Sequence, residues 1–235
     1  MSEMYVLVMS AATLGVIHTL LGPDHYLPFI VLSKARNWSR TRTLWITFIS
    51  GVGHVSGSVI LGLVGIAMGI SLSRLEAIEA SRGSVVGWML IAFGILYSSY
   101  GLYRYFKRGT HMHMPAFLRP RSIRHRDLHL AEGDLEKDDD AGRITPWILF
   151  LIFVFGPCEV LIPMLVYPAA EMSGFGIFMV ALVFGIATVG TMLLVVFLGY
   201  KGFSFIRFKG REYRIHLFAG MVILLAGIGM QFLGL

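Results

Sequence analysis

Six polar side chains stand out because they interrupt long apolar runs of the sequence. They are His18, Asp24, His25, His54, Cys158 and Glu159. An ionisable or metal-binding side chain within a long apolar segment is costly, so a functional role is its default interpretation. Neutral imidazole suits Ni²⁺, Co²⁺, Zn²⁺ and Cu²⁺, and a carboxylate helps to neutralise the charge of the ion. These residue types therefore predict a transition-metal site among apolar helices.

The first run contains three of these residues together with a helix-breaking step. His18 and His25 are two helical turns apart and would share one face of an unbroken helix. Gly22-Pro23 interrupts that helix, because proline lacks a backbone donor and clashes with the preceding turn. The carbonyls freed at the break, at the C-terminal end of a half-helix, favour a cation.

We expect His18, Asp24, His25 and His54 to form a metal site of three or four ligands. Two of these residues also have structural interpretations. Asp24 follows the break and could cap the helix after it, and His54 could hydrogen-bond to a neighbouring helix.

A second Gly-Pro step precedes Cys158 and Glu159. Gly156-Pro157-Cys158-Glu159 places two polar residues where the first run has Asp24 and His25. Either residue could complete the metal site or couple transport to protons. The alternative interpretation of Cys158 is purely structural, because a lone buried cysteine often behaves as a small apolar residue.

Six apolar runs are long enough to cross a bilayer, which takes about 20 residues. The predicted spans are Tyr5–Ser33, Thr43–Gly69, Val85–Phe106, Thr145–Ala170, Phe175–Tyr200 and Tyr213–Leu235. Apolar residues make up 56% of the chain and charged residues only 14%, against about 25% in soluble domains. The first run lacks a basic flank and a cleavage site, so we expect it to remain as a helix.

The basic residues predict the orientation of these spans. With six spans, 18 of the 20 Lys and Arg residues fall on one side of the membrane. The positive-inside rule then places both termini outside the cytoplasm. The net charge of +6 therefore has a topological explanation, and no nucleic-acid partner is expected.

The chain divides into a first membrane repeat (1–106), a polar cytoplasmic linker (107–143) and a second membrane repeat (144–235). Each half opens with a helix broken at a Gly-Pro step, and three spans per half give the halves opposite orientations. The fold prediction is an all-α polytopic membrane protein of six transmembrane helices in two inverted-topology three-helix repeats, with the substrate site at the broken helices. The linker histidines are candidates for cytoplasmic metal capture, or simply part of a solvated linker: His111, His113, His125 and His129.

At the residues from His18 to His25, the chain resembles the nickel/cobalt transporter superfamily. The spacing between His18 and the Asp24-His25 pair is one residue longer than in the high-affinity nickel permeases and equals that of the HupE/UreJ type. The second motif, Gly156-Pro157-Cys158-Glu159 with Pro163, resembles the UreH-like transmembrane domain, which is related to the DsbD/CcdA electron carriers.

This resemblance covers nearly all of the membrane portion. It implies a metal-selecting role for His18, Asp24 and His25, with His54 as the partner from the second helix. It also implies a prokaryotic inner-membrane protein. The two-cysteine relay of the DsbD/CcdA relatives does not carry over, because Cys158 is the only cysteine, which also excludes an internal disulfide.

The sequence therefore predicts a secondary transporter for Ni²⁺ or Co²⁺, not an enzyme, with the metal as substrate and no separate cofactor. The expected partners are the lipid bilayer, the metal ion and a cytoplasmic metallochaperone. Two alternatives stay open. One is an exporter of a small anion or sulfur compound held at half-helix N-termini; the other is a membrane thiol or redox partner acting through Cys158.

Overall fold

The structure is a computed structural model, and it describes residues 2–109, 144–170, 174–204 and 212–233. Within these ranges every regular element is helical. Five helices are long and apolar enough to cross a membrane, within Glu3–Leu21, Arg40–Ala67, Leu72–Arg104, Gly174–Gly202 and Arg214–Leu233. Large apolar side chains are exposed along these helices, as lipid-facing surfaces require. Most of the predicted linker, including its four histidines, lies outside the described residues.

The first helix is broken where the sequence predicts it. Helix α1 (Ser2–Leu21) ends as the Gly22 N–H donates to the His18 carbonyl at 3.0 Å, and one 3₁₀ turn (Pro23–His25) follows. Helix α2 (Leu27–Ala35) then begins, with Pro28 in its first turn, where a missing donor costs nothing. Nearly all of α2 is buried. The break therefore directs the chain from a lipid-exposed helix into the protein core.

Helix α3 (Arg40–Ala67) is capped at both ends by local sequence. The Ser39 hydroxyl accepts a hydrogen bond from the Arg42 N–H at 3.2 Å. At the other end Gly69 has a positive φ of 67°, and the Ile70 N–H donates to the Gly65 carbonyl at 2.9 Å. This is a Schellman motif, which glycine favours because it has no side chain to clash in the left-handed conformation.

Helix α4 (Leu72–Gly109) is much longer than the predicted span Val85–Phe106. Between the predicted spans Thr43–Gly69 and Val85–Phe106 the sequence predicts a loop at 70–84, with Arg74, Glu76, Glu79 and Arg82. This prediction is wrong for these four residues, because all of them lie in the first part of α4. The helix begins earlier than predicted because part of this charged stretch is buried against the rest of the protein. Leu75 packs on Gly65 of α3, and Glu79 is only 1% exposed.

The fourth predicted span, Thr145–Ala170, is two short helices rather than one long one. Helix α5 (Ile144–Phe155) and helix α6 (Leu161–Ala170) flank a break at residues 156–160. At 1.5 Å per residue α5 is about 18 Å long, well short of a bilayer core of about 30 Å. This segment is therefore absent from the five long candidate spans.

Helices α7 (Gly174–Ser204) and α8 (Glu212–Ile228) complete the bundle, and α8 continues into a π-helical turn (Gly229–Leu233). Helix α7 packs against α1 and α3, and α8 packs against α4 and α2. The contact between α4 and α8 is close because of glycine. A Cβ at Gly94 would lie 2.5 Å from the Leu224 nitrogen, and one at Gly101 would lie 2.6 Å from the Leu217 nitrogen. Small residues are how membrane helices approach this closely.

Candidate metal centre

Three of the predicted site residues, His18, His25 and His54, come together where the first helix is broken. Each offers a ring nitrogen, and these nitrogens all lie within 4.8 Å of one another. The His25 ring centroid is 4.7 Å from that of His18 and 5.1 Å from that of His54. His25 and His54 are buried and His18 is partly buried. The last turn of α1, the 3₁₀ turn and the middle of α3 thus each contribute one imidazole.

His25 is oriented by the break itself. Its Nδ1 lies 3.2 Å from the Gly22 carbonyl oxygen and 3.2 Å from Asp24 Oδ1. A proton on Nδ1 satisfies both acceptors and leaves Nε2 with a free lone pair. That Nε2 is buried, and no hydrogen bond to it is found in the described part of the chain. A buried polar atom of this kind calls for a ligand or another explanation.

Gly22 is required for this geometry. A Cβ at this position would lie 2.5 Å from His25 Nδ1 and 2.9 Å from Asp24 Oδ1. Real Cβ atoms essentially never come this close to other atoms, so the ring of His25 could not fold back against any larger residue.

His54 is oriented by the second broken helix. Its Nδ1 lies 3.3 Å from the carbonyl oxygen of Phe153, near the end of α5. That hydrogen bond again assigns the proton to Nδ1, and Nε2 is buried without a hydrogen-bond partner among the described residues. A Cβ on Gly156 would lie 2.9 Å from His54 Nδ1. Each Gly-Pro step therefore provides the space for one histidine of the cluster.

His18 and Cys158 bring the two broken helices into contact. The Sγ atom of Cys158 lies 3.9 Å from His18 Nε2. Cys158 is completely buried, among apolar residues of α1, α3, α6 and α7. Its backbone N–H donates to Ser58 Oγ and to Glu79 Oε2, both at 3.1 Å.

Asp24 and Glu159, both named from the sequence, lie at the edge of the histidine cluster. Asp24 is not one of the three clustered residues; its carboxylate contacts the outer nitrogen of His25. In metal proteins a carboxylate in this position fixes the imidazole tautomer and increases its basicity. Glu159 is exposed and lines a cavity beside Pro157.

That cavity, of about 510 Å³, opens at the surface of the protein and is lined by two of the three histidines, His18 and His25. Its walls come from α1, the first turns of α4, the second break and the C-terminal π turn. The lining includes His18, Asp24, His25, Ser84, Glu159 and Gln231. Its charged lining residues, Asp24 and Glu159, are both acidic, so the cavity attracts cations and repels anions.

A buried ion pair that the sequence interpretation missed stabilises the second break. Arg82 Nη1 and Glu79 Oε1 are 2.5 Å apart, and Arg82 Nη2 donates to the carbonyls of Val154 and Gly156 at 3.2 Å each. These are carbonyls that a continuous helix would satisfy with its own N–H groups. The i,i+3 spacing of Glu79 and Arg82, next to a long apolar helix, was the signal that could have identified them.

Comparisons with protein-family models, with curated proteins and with solved structures found no match to this chain.

Proposed function

We propose that this protein is a membrane transporter that carries a divalent transition-metal ion, Ni²⁺ or Co²⁺, through the site formed by His18, His25 and His54. The observation that carries the proposal is the pair of buried Nε2 atoms on His25 and His54, which lack hydrogen-bond partners in the described chain. Leaving buried acceptors unsatisfied costs roughly 1–3 kcal/mol each. A bound ion would use both lone pairs.

The ligand chemistry favours a transition metal over an alkaline-earth ion. Imidazole nitrogens suit Ni²⁺, Co²⁺, Zn²⁺ and Cu²⁺, whereas Mg²⁺ and Ca²⁺ prefer oxygen ligands. The outer nitrogens of His25 and His54 already face a carboxylate and backbone carbonyls. Such contacts are the usual support of a metal-binding histidine.

A site between broken helices supports transport rather than storage. His18 and His54 lie on apolar helices long enough to span a membrane, His25 lies on the turn that follows α1, and a cavity lined by His18 and His25 opens at one surface. The cavity is lined by Ser84, in the first half of α4, and by Gln231, in the π-helical turn after α8. In the six-span topology these residues lie on the non-cytoplasmic side, so the cavity is open to the outside.

The two halves would be inverted repeats that move against each other around the site. In the first half the broken helix α1/α2 precedes α3 and α4, and in the second half α5/α6 precedes α7 and α8. Helix α3 contacts α7 and α4 contacts α8, so corresponding helices of the two halves are paired. This pairing, together with the basic residues on one side, supports six crossings of the membrane. In this count the broken helix α5/α6 makes one crossing. Both termini would then be outside the cytoplasm.

The membrane potential is sufficient to drive uptake. A doubly charged ion moving inward gains roughly 4.6 kcal/mol per 100 mV. An inside-negative potential would therefore accumulate the ion without any further coupled solute.

The two alternative functions are less compatible with the site. An anion would meet Asp24 and Glu159 in the cavity, where it would be repelled. A thiol or redox partner must present its sulfur to another protein, and Cys158, the only cysteine of the chain, is completely buried.

A substrate panel in proteoliposomes tests the proposal. The purified protein should move Ni²⁺ or Co²⁺, at a rate that His25→Ala abolishes, and should move no sulfite. His216→Gln is the matched control, because His216 is also buried but contacts Tyr97 and Arg104 away from the cluster. Movement of sulfite without divalent metals, or metal movement unaffected by His25→Ala, would overturn the proposal.

A further inference from the structure

We propose that Cys158 is the fourth ligand of the site and binds the cargo ion through its thiolate sulfur. The ion would then be held by three imidazoles and one sulfur, with one donor from the second broken helix. This inference rests on the proposed function and specifies the ligand set on which ion selectivity depends.

The distance from Cys158 to His18 is close to that between two ligands of one ion. Cys158 Sγ lies 3.9 Å from His18 Nε2. With metal–nitrogen and metal–sulfur bonds of about 2.0 and 2.3 Å, a tetrahedral ion holds the two donor atoms about 3.5 Å apart. Cys158 is not one of the three residues whose donor atoms all lie within 4.8 Å of one another. Coordination of one ion by all four residues therefore requires the site to contract around it.

The main chain around Cys158 is held in place. Its N–H donates both to Ser58 Oγ of α3 and to Glu79 Oε2 of α4. Arg82, paired with Glu79, binds the carbonyl of Gly156 two residues earlier. These hydrogen bonds fix the backbone of Cys158 and leave its sulfur atom available, as a pre-positioned ligand requires.

The two unpartnered histidine nitrogens provide independent support for a ligand beside the thiol. Nε2 of His25 and Nε2 of His54 are buried without partners in the described chain, and the ring nitrogens of the three histidines lie within 4.8 Å of one another. Three nitrogen donors leave one position of a tetrahedral ion open. Cys158 contacts one of the three histidines, and its sulfur can fill that position.

Charge balance also favours the thiolate. A divalent ion on three neutral imidazoles carries two positive charges into a buried site. Asp24, against His25, compensates one of them, and a thiolate compensates the other. The Glu79–Arg82 pair is neutral overall. A buried site with no net charge avoids most of the cost of removing an ion from water.

The binding step is an acid–base exchange and needs no oxidant. The S–H bond of Cys158 breaks, a metal–sulfur bond forms, and the proton leaves toward the cavity. One proton is therefore released for each ion bound at neutral pH. The sulfur also makes the site softer, which favours Co²⁺, Ni²⁺ and Zn²⁺ over Mn²⁺ and Mg²⁺.

Absorption spectroscopy of the Co²⁺-loaded protein tests this assignment directly. In the purified full chain, Co²⁺ should produce a near-ultraviolet sulfur-to-cobalt charge-transfer band together with the visible ligand-field bands. The only cysteine is Cys158, so a thiolate band has one assignment. Cys158→Ser should lose the charge-transfer band while still binding Co²⁺ through the histidines.

The outcomes separate this inference from the proposed function. Bound Co²⁺ with ligand-field bands but no thiolate band in the wild type would overturn the sulfur ligand and leave the histidine site standing. Persistence of the band in Cys158→Ser would also overturn it. A protein that binds no Co²⁺ would contradict both proposals.

X-ray absorption at the cobalt edge provides a second measurement, on the wild-type protein, that does not depend on a folded variant. Bound Co²⁺ should show one sulfur scatterer at about 2.3 Å beside the nitrogen ligands. A cobalt site with nitrogen and oxygen scatterers and no sulfur would contradict a metal–sulfur bond.

Discussion

His54 Nδ1 lies 3.3 Å from the carbonyl oxygen of Phe153, so a histidine of the first half is oriented by backbone at the end of α5 in the second half. The same break is bound from α4 by Arg82, which donates to Val154 and Gly156. Any movement of the second broken helix must therefore change the environment of His54. This relationship couples the histidine cluster to the packing of the two halves.

Gly156→Ala should disturb the metal centre without altering any predicted ligand. The added Cβ would lie 2.9 Å from His54 Nδ1 and 3.0 Å from the Phe153 carbonyl oxygen. Overpacking of this kind costs about 1–3 kcal/mol. We expect a lower melting temperature in detergent and weaker Co²⁺ binding in a titration.

Gly190→Ala is the matched control for that variant. Gly190 lies within α7, and a Cβ there meets no atom of the described residues within 4 Å. If both alanine variants bind Co²⁺ as the wild type does, the close approach of His54 to the break is not important for the site.

Asp24→Asn should weaken metal binding without removing a ligand. The amide keeps the shape of the side chain but loses the charge that supports His25. Loss of such a supporting carboxylate lowers metal affinity by about 10- to 100-fold. Isothermal titration with Ni²⁺ measures the change, and X-ray absorption reports whether the ligands stay the same. An Asp24→Asn protein that loses an oxygen ligand would show instead that Asp24 binds the ion directly.

Removing one member of the Glu79–Arg82 pair should cost more stability than removing both. Glu79 is 1% exposed and Arg82 is 20% exposed. A buried charge left alone costs about 3–5 kcal/mol, whereas replacing a whole pair is often far less damaging. Glu79→Gln and Arg82→Gln should therefore each lower the melting temperature more than the double variant does. Thermal unfolding monitored by circular dichroism measures these melting temperatures.

Arg74→Gln is the control for the Glu79 and Arg82 series, since Arg74 is exposed on the same helix. Strictly additive effects in the double variant would show that Glu79 and Arg82 do not act as a pair.

Both ends of the chain should be accessible from outside the cell. In a Cys158→Ser background, cysteine at Glu3 or Leu233 should react with an impermeant thiol reagent on intact cells. Cysteine at Arg121, in the predicted cytoplasmic linker, should react only after permeabilisation. Labelling of residues 3 and 233 from opposite sides would require an odd number of crossings and would contradict the inverted repeat.

The sequence could predict the breaks and the histidine cluster because the signals are local. Pro23 ends α1 because it lacks a backbone donor and clashes with the preceding turn, and the seven-residue step from His18 to His25 places both near that break. We predicted that His54 would join them only because imidazoles are suitable ligands for one metal ion. The structure brings the three residues together.

Other features depend on packing that a sequence pattern does not contain. Glu79 and Arg82 were assigned to a loop because charged residues end an apolar run, yet the folded chain buries them against the second break. Asp24 was predicted as a ligand, but which of its neighbours a carboxylate contacts depends on the geometry of the turn.

The most direct test of the central claim is the initial rate of Co²⁺ entry into proteoliposomes under an inside-negative potential, compared for wild type, His54→Ala and His216→Gln. His54→Ala removes one of the two unpartnered buried nitrogens and leaves the cavity lining unchanged. We predict that the wild type and His216→Gln move Co²⁺ at similar rates and that His54→Ala falls to the rate of empty liposomes. Wild-type rates in His54→Ala would contradict transport through the three-histidine site.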